Sequence, residues 1–151
     1  MPFDTVDKLL FDSSVCGIIE FRIYSKNLYG ITDMNQEAEK ITGYDINEIL
    51  SLSHKIDISK MIYDEDVNIV INEIASLVLT GKSEKIEYRI ISRSGDIHWI
   101  SGKFILVENT DFVESAPSCI INSFVCIDDR KEAEQNLRHS ATAYNLLRDS
   151  Y

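Results

Sequence analysis

The longest apolar helical period in this chain is also its strongest structural constraint. Val67, Val70, Ile71, Ile74, Leu77 and Val78 fall at i, i+3, i+4, i+7, i+10 and i+11, and Gly81 ends the pattern. Asp64, Glu65 and Asp66 stand where a helix dipole favours negative charge, so the spacing predicts one long helix, Asp64–Thr80, with an acidic cap. A helix with one apolar stripe needs a surface to cover, and the flanking segments alternate with period two. Ile19, Phe21 and Ile23 alternate with Glu20, Arg22 and Tyr24; Ile86, Tyr88 and Ile90 alternate with Glu87 and Arg89. Ser94-Gly95 marks a turn, Ile97 and Trp99 open another strand, and Cys119 to Ile127 is a strongly apolar last one. The reading is α+β: five antiparallel strands, Ile18–Tyr24, Tyr29–Met34, Glu84–Arg93, Ile97–Val107 and Cys119–Ile127, with the long helix across one face and Val70 and Ile74 turned inward.

Between the second strand and the long helix the chain is broken into short helices. Asn35 to Ile41 reads as one, ended by Gly43, and Asp45 with Glu48 resembles a capping box opening another. At the N-terminus, Asp4 or Thr5 caps a segment whose Val6, Leu9 and Leu10 share one helical face. The domain division is therefore an amphipathic helix over 1–14, a sheet domain over 15–127 and a C-terminal helix over 128–151.

Charge and cysteine usage limit the partners. With 15 Lys+Arg against 25 Asp+Glu, the net charge of −10 opposes phosphate backbones and anionic membrane surfaces, so neither nucleic acid nor direct membrane contact is expected. No apolar run reaches a membrane-spanning length of about 18 residues, and the N-terminus lacks a basic, apolar leader. Cys16, Cys119 and Cys126 are odd in number and form no CxxC pair, which fits reduced cytoplasmic thiols at strand positions. No zinc site follows from their spacing, and the metal expectation is none.

Two segments carry a family resemblance. Asn35-Gln36-Glu37-Ala38-Glu39-Lys40-Ile41-Thr42-Gly43-Tyr44-Asp45-Ile46-Asn47-Glu48-Ile49-Leu50 resembles, without a gap, the Asn…Gly-Tyr-x-x-x-Glu-x-Leu segment of PAS sensor domains. Glu87-Tyr88-Arg89-Ile90, then Gly95 and Trp99, resembles that family's penultimate hairpin. The resemblance spans about Val15 to Glu134. There are departures. Tyr63-Asp64-Glu65-Asp66 replaces the family's frequent His-Pro-x-Asp, keeping only the acidic cap. Cys126-Ile127-Asp128-Asp129-Arg130-Lys131 replaces its Asp-Ile-Thr-x-Arg-Lys exit, so Cys126 cannot make the contact expected of the first Asp, and Asp128 takes the N-cap position.

The resemblance implies a sensory module whose cofactor, if any, depends on a few positions. Photoreactive relatives carry a Cys just after the short helices, and Ser51 to Met61 holds none. Haem-binding relatives use a His on or near the long helix, and Asp64 to Gly81 holds none; His54 and His98 lie elsewhere. The expectation is no flavin, no haem and a colourless chain. Catalytic residues are not expected either: the serines lack a nucleophile elbow, no Gly-rich phosphate loop is present, and Ser140-Ala141 after His139 offers no base for phospho-acceptor chemistry. Candidate pocket-lining residues are Val70, Ile74, Tyr88 and Trp99, with simple core packing as the alternative for Trp99.

The last segment carries a separate signal. Ala133, Leu137, Ser140, Tyr144, Leu147 and Tyr151 are spaced 4, 3, 4, 3, 4, the seam of a coiled coil, against the alternative of a helix folded back on its own domain. The chain stops at Asp149-Ser150-Tyr151 without a Gly or Pro, and a longer helix leading to an effector domain is expected in the parent. The functional expectation is a cytoplasmic, non-enzymatic sensory module, such as that of a sensor histidine kinase or a cyclic-dinucleotide enzyme. It binds an unidentified small ligand or forms a homodimer and relays strain through Asp128 and Arg130. A ligand-free dimerisation domain and, further off, a small standalone enzyme or carrier are the alternatives.

Overall fold

A computed structural model describes residues 15–25, 28–51, 55–57, 60–108 and 119–149. The expected helix over 1–14 lies outside them, as does Tyr151.

The strands are β1 (Gly17–Ser25), β2 (Leu28–Met34), β3 (Lys55–Asp57), β4 (Ile86–Ile91), β5 (Ile97–Glu108) and β6 (Cys119–Cys126). They form one antiparallel sheet in the order β3-β2-β1-β6-β5-β4. The five long strands are those the alternation predicts. The sixth, β3, is a three-residue edge addition, too short for any period to reveal. Strand β4 is two residues shorter at each end than expected, because the hairpin closes as a loop in which the Ser92 N–H donates to Asp96 (2.8 Å) and Gly95 adopts φ +91°. Only a residue tolerant of the left-handed region fits there.

Three helices cover one face: α1 (Gln36–Thr42), α2 (Ile46–Ser51) and α3 (Val67–Thr80). A fourth, α4 (Asp128–Asp149), leaves the end of β6. Helix α1 starts and stops as its sequence dictates: the Asn35 side chain accepts from the Ala38 N–H, and Gly43 closes it at φ +75°. Asp45 caps α2 through the Asn47 N–H (2.7 Å), but Glu48 turns away to pair with Arg93 (2.6 Å), so the capping box is half made. Helix α3 begins at Val67, after a single 3-10 turn over Asp64–Asp66, and buries Val70, Ile74 and Leu77 against the sheet. Asp66 occupies its N-cap position but makes no side-chain capping bond, since its carboxylate is taken by Arg89 on β4. The core between helices and sheet holds an edge-on cluster of Phe21 with Tyr29 and Phe104, and Tyr88 stacked on Phe104.

Candidate functional site

Beneath α3 the core leaves a cavity of about 90 Å³. Its walls come from the inward face of the sheet, including Ile19, Phe21, Tyr88 and Phe104, and from Val70 and Ile74 of α3. Val70, Ile74 and Tyr88, picked out from the sequence, are thus brought together. Trp99 is not: it lies outside this lining. Its strand neighbour Ile100 faces the core, so alternation turns Trp99 to the opposite side, towards the start of α4.

One wall residue is polar in a way the rest of the lining does not satisfy. Asn122 on β6 donates through Nδ2 to the Tyr88 hydroxyl (2.8 Å), while its Oδ1 is buried with no partner among the described residues. Burial pushes the Tyr88 phenol up to about 12, so it stays protonated at neutral pH. Gly102 on β5 makes room for the pair: a Cβ there would sit 3.1 Å from Asn122 Oδ1, from the Tyr88 hydroxyl and from Phe124 Cβ. Neither Asn122 nor Gly102 was visible as a site residue in the sequence, because a polar residue inside a strand pattern reads as solvent-facing.

A second cluster stands where α4 leaves the sheet. Asp128 is the first residue of α4, and Ile127 holds the cap position, its carbonyl accepting from the Lys131 N–H (3.0 Å). The expected N-cap role of Asp128 is therefore corrected. Its carboxylate reaches across to β5, Oδ1 accepting from the Trp99 N–H and Oδ2 meeting His98 Nδ1, each at 2.7 Å. Against burial, which pushes its pKa up, the hydrogen bonds from His98 and the Trp99 N–H hold the Asp128 carboxyl below the usual range. Asp128 thus ties the helix to the sheet two residues after Cys126, which is exposed rather than a buried strand thiol. Arg130 and Lys131 both pair with Glu87 of β4, Lys131 at 2.7 Å, and these contacts, the Lys131 hydrogen bond foremost, lower the Glu87 pKa.

These contacts continue towards the cavity. The Lys131 ammonium lies 4.5 Å from the centre of the Trp99 ring, and the Arg89 guanidinium lies 5.0 Å from the same ring and 4.1 Å from that of Tyr63. Arg89 grips Asp66 in a fork, Nη2 to Oδ1 at 2.8 Å and Nε to Oδ2 at 2.9 Å, and its backbone N–H adds a third bond at 2.8 Å. That grip holds the Asp66 carboxyl below the usual carboxylate range and raises the Arg89 pKa. Along α4, Leu137, Tyr144 and Leu147 are 71%, 65% and 60% exposed.

The family model of the PAS fold matches residues 31–116, more than half of the sequence, and the chain belongs to that family. It is a PAS sensory domain, a fold that is generally a non-enzymatic sensory module. Among solved structures it resembles a sensory box histidine kinase/response regulator from Burkholderia thailandensis E264 (22% identity, 91% of this chain and 96% of that one, TM-score 0.64). It also resembles an RNA-binding light-oxygen-voltage receptor (14%, 96% and 41%, TM-score 0.67). A third is the PAS domain, in complex with ethanol, of a LuxR-family transcriptional regulator from Burkholderia thailandensis (16%, 83% and 98%, TM-score 0.57). At such identities the likeness is one of fold. No curated protein matches. Among the described residues, no helix is long and apolar enough to cross a membrane.

Proposed function

We propose that this domain senses a small, largely apolar molecule carrying one hydroxyl group, bound under α3, and passes its presence to α4. The observation that carries this reading is the buried Asn122 Oδ1, without a partner among the described residues, in a largely apolar cavity. A buried polar group without a partner costs about 1–3 kcal/mol, and a hydroxyl, which both donates and accepts, relieves that cost in either orientation of the amide. Size narrows the class. About 90 Å³ is below the roughly 150 Å³ of a cavity known to admit benzene and far below drug-sized pockets, so the ligand has few heavy atoms. A flavin or haem does not fit that space without the core opening. The ethanol complex of one structural relative accords with a ligand of this size.

The relay runs through contiguous contacts. Val70 and Ile74 touch the cavity; one turn earlier, Asp66 holds Arg89; Arg89 and Lys131 share Trp99; and Lys131 and Arg130 share Glu87. A shift of α3 therefore has a mechanical path to the first turn of α4, with Asp128 as the fixed point. In the parent, α4 passes this on to an effector domain. The test is binding of 2-propanol against 2-chloropropane, and 1-propanol against 1-chloropropane, pairs of nearly equal size that the cavity can hold, followed by NMR chemical shifts. The hydroxylated member of each pair is expected to bind roughly 3–10-fold more tightly, the worth of one net buried hydrogen bond, and Asn122→Leu should erase the preference. No saturable binding by any member, or a preference that survives Asn122→Leu, overturns the ligand reading.

A second reading, homodimerisation through α4, is favoured by the exposure of Leu137 and Tyr144 on the heptad seam. A seam this short makes a marginal coil in water, so a weak parallel dimer is expected. Sedimentation velocity should show self-association lost in both Leu137→Asp and Leu147→Asp. Association unchanged in either variant places the contact elsewhere on the domain.

A further inference from the structure

At the mouth of the β6–α4 junction, three side chains of different chemistry converge. A ring nitrogen of His98, Cys126 Sγ and an Asp128 carboxylate oxygen all lie within 4.8 Å of one another, with His98 Nδ1 already 2.7 Å from Asp128 Oδ2. They come from the start of β5, the end of β6 and the start of α4, and what gathers them is the sheet register, in which Cys126 pairs with Ile100, two residues from His98. No sequence spacing reveals such a set, since a gap of 28 residues is closed only by strand pairing.

We propose that His98, Cys126 and Asp128 form a three-ligand binding site for Zn²⁺, with water in the fourth position. The donor set is one imidazole nitrogen, one thiolate and one carboxylate oxygen, the mixture that a tetrahedral, borderline-soft cation selects. Two negative ligands neutralise the divalent charge. Bond lengths near 2.0–2.3 Å put tetrahedral donor atoms about 3.3–3.7 Å apart, inside the present spread of the cluster. His98 and Asp128, now 2.7 Å apart in a hydrogen bond, open by under about 1 Å as the metal replaces the shared proton. The thiol proton goes to solvent, and the proton displaced from between His98 and Asp128 moves through solvent to Nε2, so the imidazole binds neutral through Nδ1. The carboxylate is already oriented from behind, because its other oxygen is held by the Trp99 N–H at 2.7 Å, the kind of outer contact that fixes metal ligands. Access is open: Cys126 is exposed, and the His98 and Asp128 side chains are 31% and 39% exposed.

Zinc there pins the first residue of α4 to both β5 and β6, at the fixed point of the relay. The site stands apart from the cavity, and its existence does not depend on what the cavity binds.

The test uses the full reduced chain, titrated with Co²⁺ and then Zn²⁺. One equivalent of Co²⁺ is expected to give a thiolate-to-cobalt charge-transfer band that Zn²⁺ abolishes by displacement. Cys126→Ser should remove the band, His98→Gln should weaken Zn²⁺ binding about tenfold or more, and Cys16→Ser should change neither. A measurement on the unmutated chain accompanies these: Zn²⁺ should slow alkylation of Cys126 by iodoacetamide, read by mass spectrometry, while leaving Cys16 unprotected. Absence of the band, a band that survives Cys126→Ser, or equal alkylation of Cys126 with and without Zn²⁺ overturns the proposal.

Discussion

Replacing Asn35 with alanine should lower the unfolding free energy by about 3–5 kcal/mol, visible as a shifted urea midpoint with unchanged slope. The side chain is completely buried. Its Oδ1 accepts from the Ala38 N–H (2.9 Å), capping α1, and from the Ile18 N–H (2.8 Å) at the start of β1, and its Nδ2 donates to the Cys16 carbonyl (2.8 Å). Loss of a cap costs about 1 kcal/mol, and each buried backbone group left without a partner costs about 1–3 kcal/mol. Asn35→Asp keeps the acceptors but loses the donor to Cys16 and buries a charge, so it should recover only part of the loss. Near-native stability for Asn35→Ala would show that water replaces the side chain and that α1 and β1 are not joined through it.

The other large effect is expected at Asp66. Its side chain is 7% exposed and meets three donors of Arg89. Removing one partner of a mostly buried pair strands the other, and Asp66→Ala should cost about 3 kcal/mol at neutral pH, less if Arg89 swings into solvent. The pH dependence has a definite sign. The folded-state pKa of Asp66 is lowered, so its stabilising contribution is complete above the unfolded value near 4 and fades as pH falls through the lower folded value. Asp66→Asn should flatten the stability profile below about pH 4 while lowering the plateau above it. A variant whose acid limb keeps the parental slope would assign that limb to other carboxylates, with Glu87, itself lowered chiefly by Lys131, the next to test.

Alternation and the α3 period were enough to place the long strands and the covering helix, because burial on one face writes itself into every second or every third-and-fourth residue. What they could not place were contacts that depend on which face is which. Trp99 and Ile100 are both apolar, so the parity of β5 was ambiguous in the sequence; only pairing with Arg89 and Lys131 puts Trp99 on the outer side. Asp128 was legible as a residue that starts a helix, but its partners His98 and Trp99 lie some 30 residues away in the chain, at a strand end no local rule connects to it. Asn35 was legible only as a motif position. Asn122 was not legible at all, since an orphaned amide is a property of packing rather than of pattern.

The sheet order has a consequence for how such a unit is used. Strands β1 and β6 are neighbours, and Gly17 at the start of one is paired with Phe124 near the end of the other. The backbone therefore enters the first of these two central strands and leaves the second at the same end of the sheet, side by side. A module with that geometry can be spliced between two consecutive stretches of a longer protein without prising them apart.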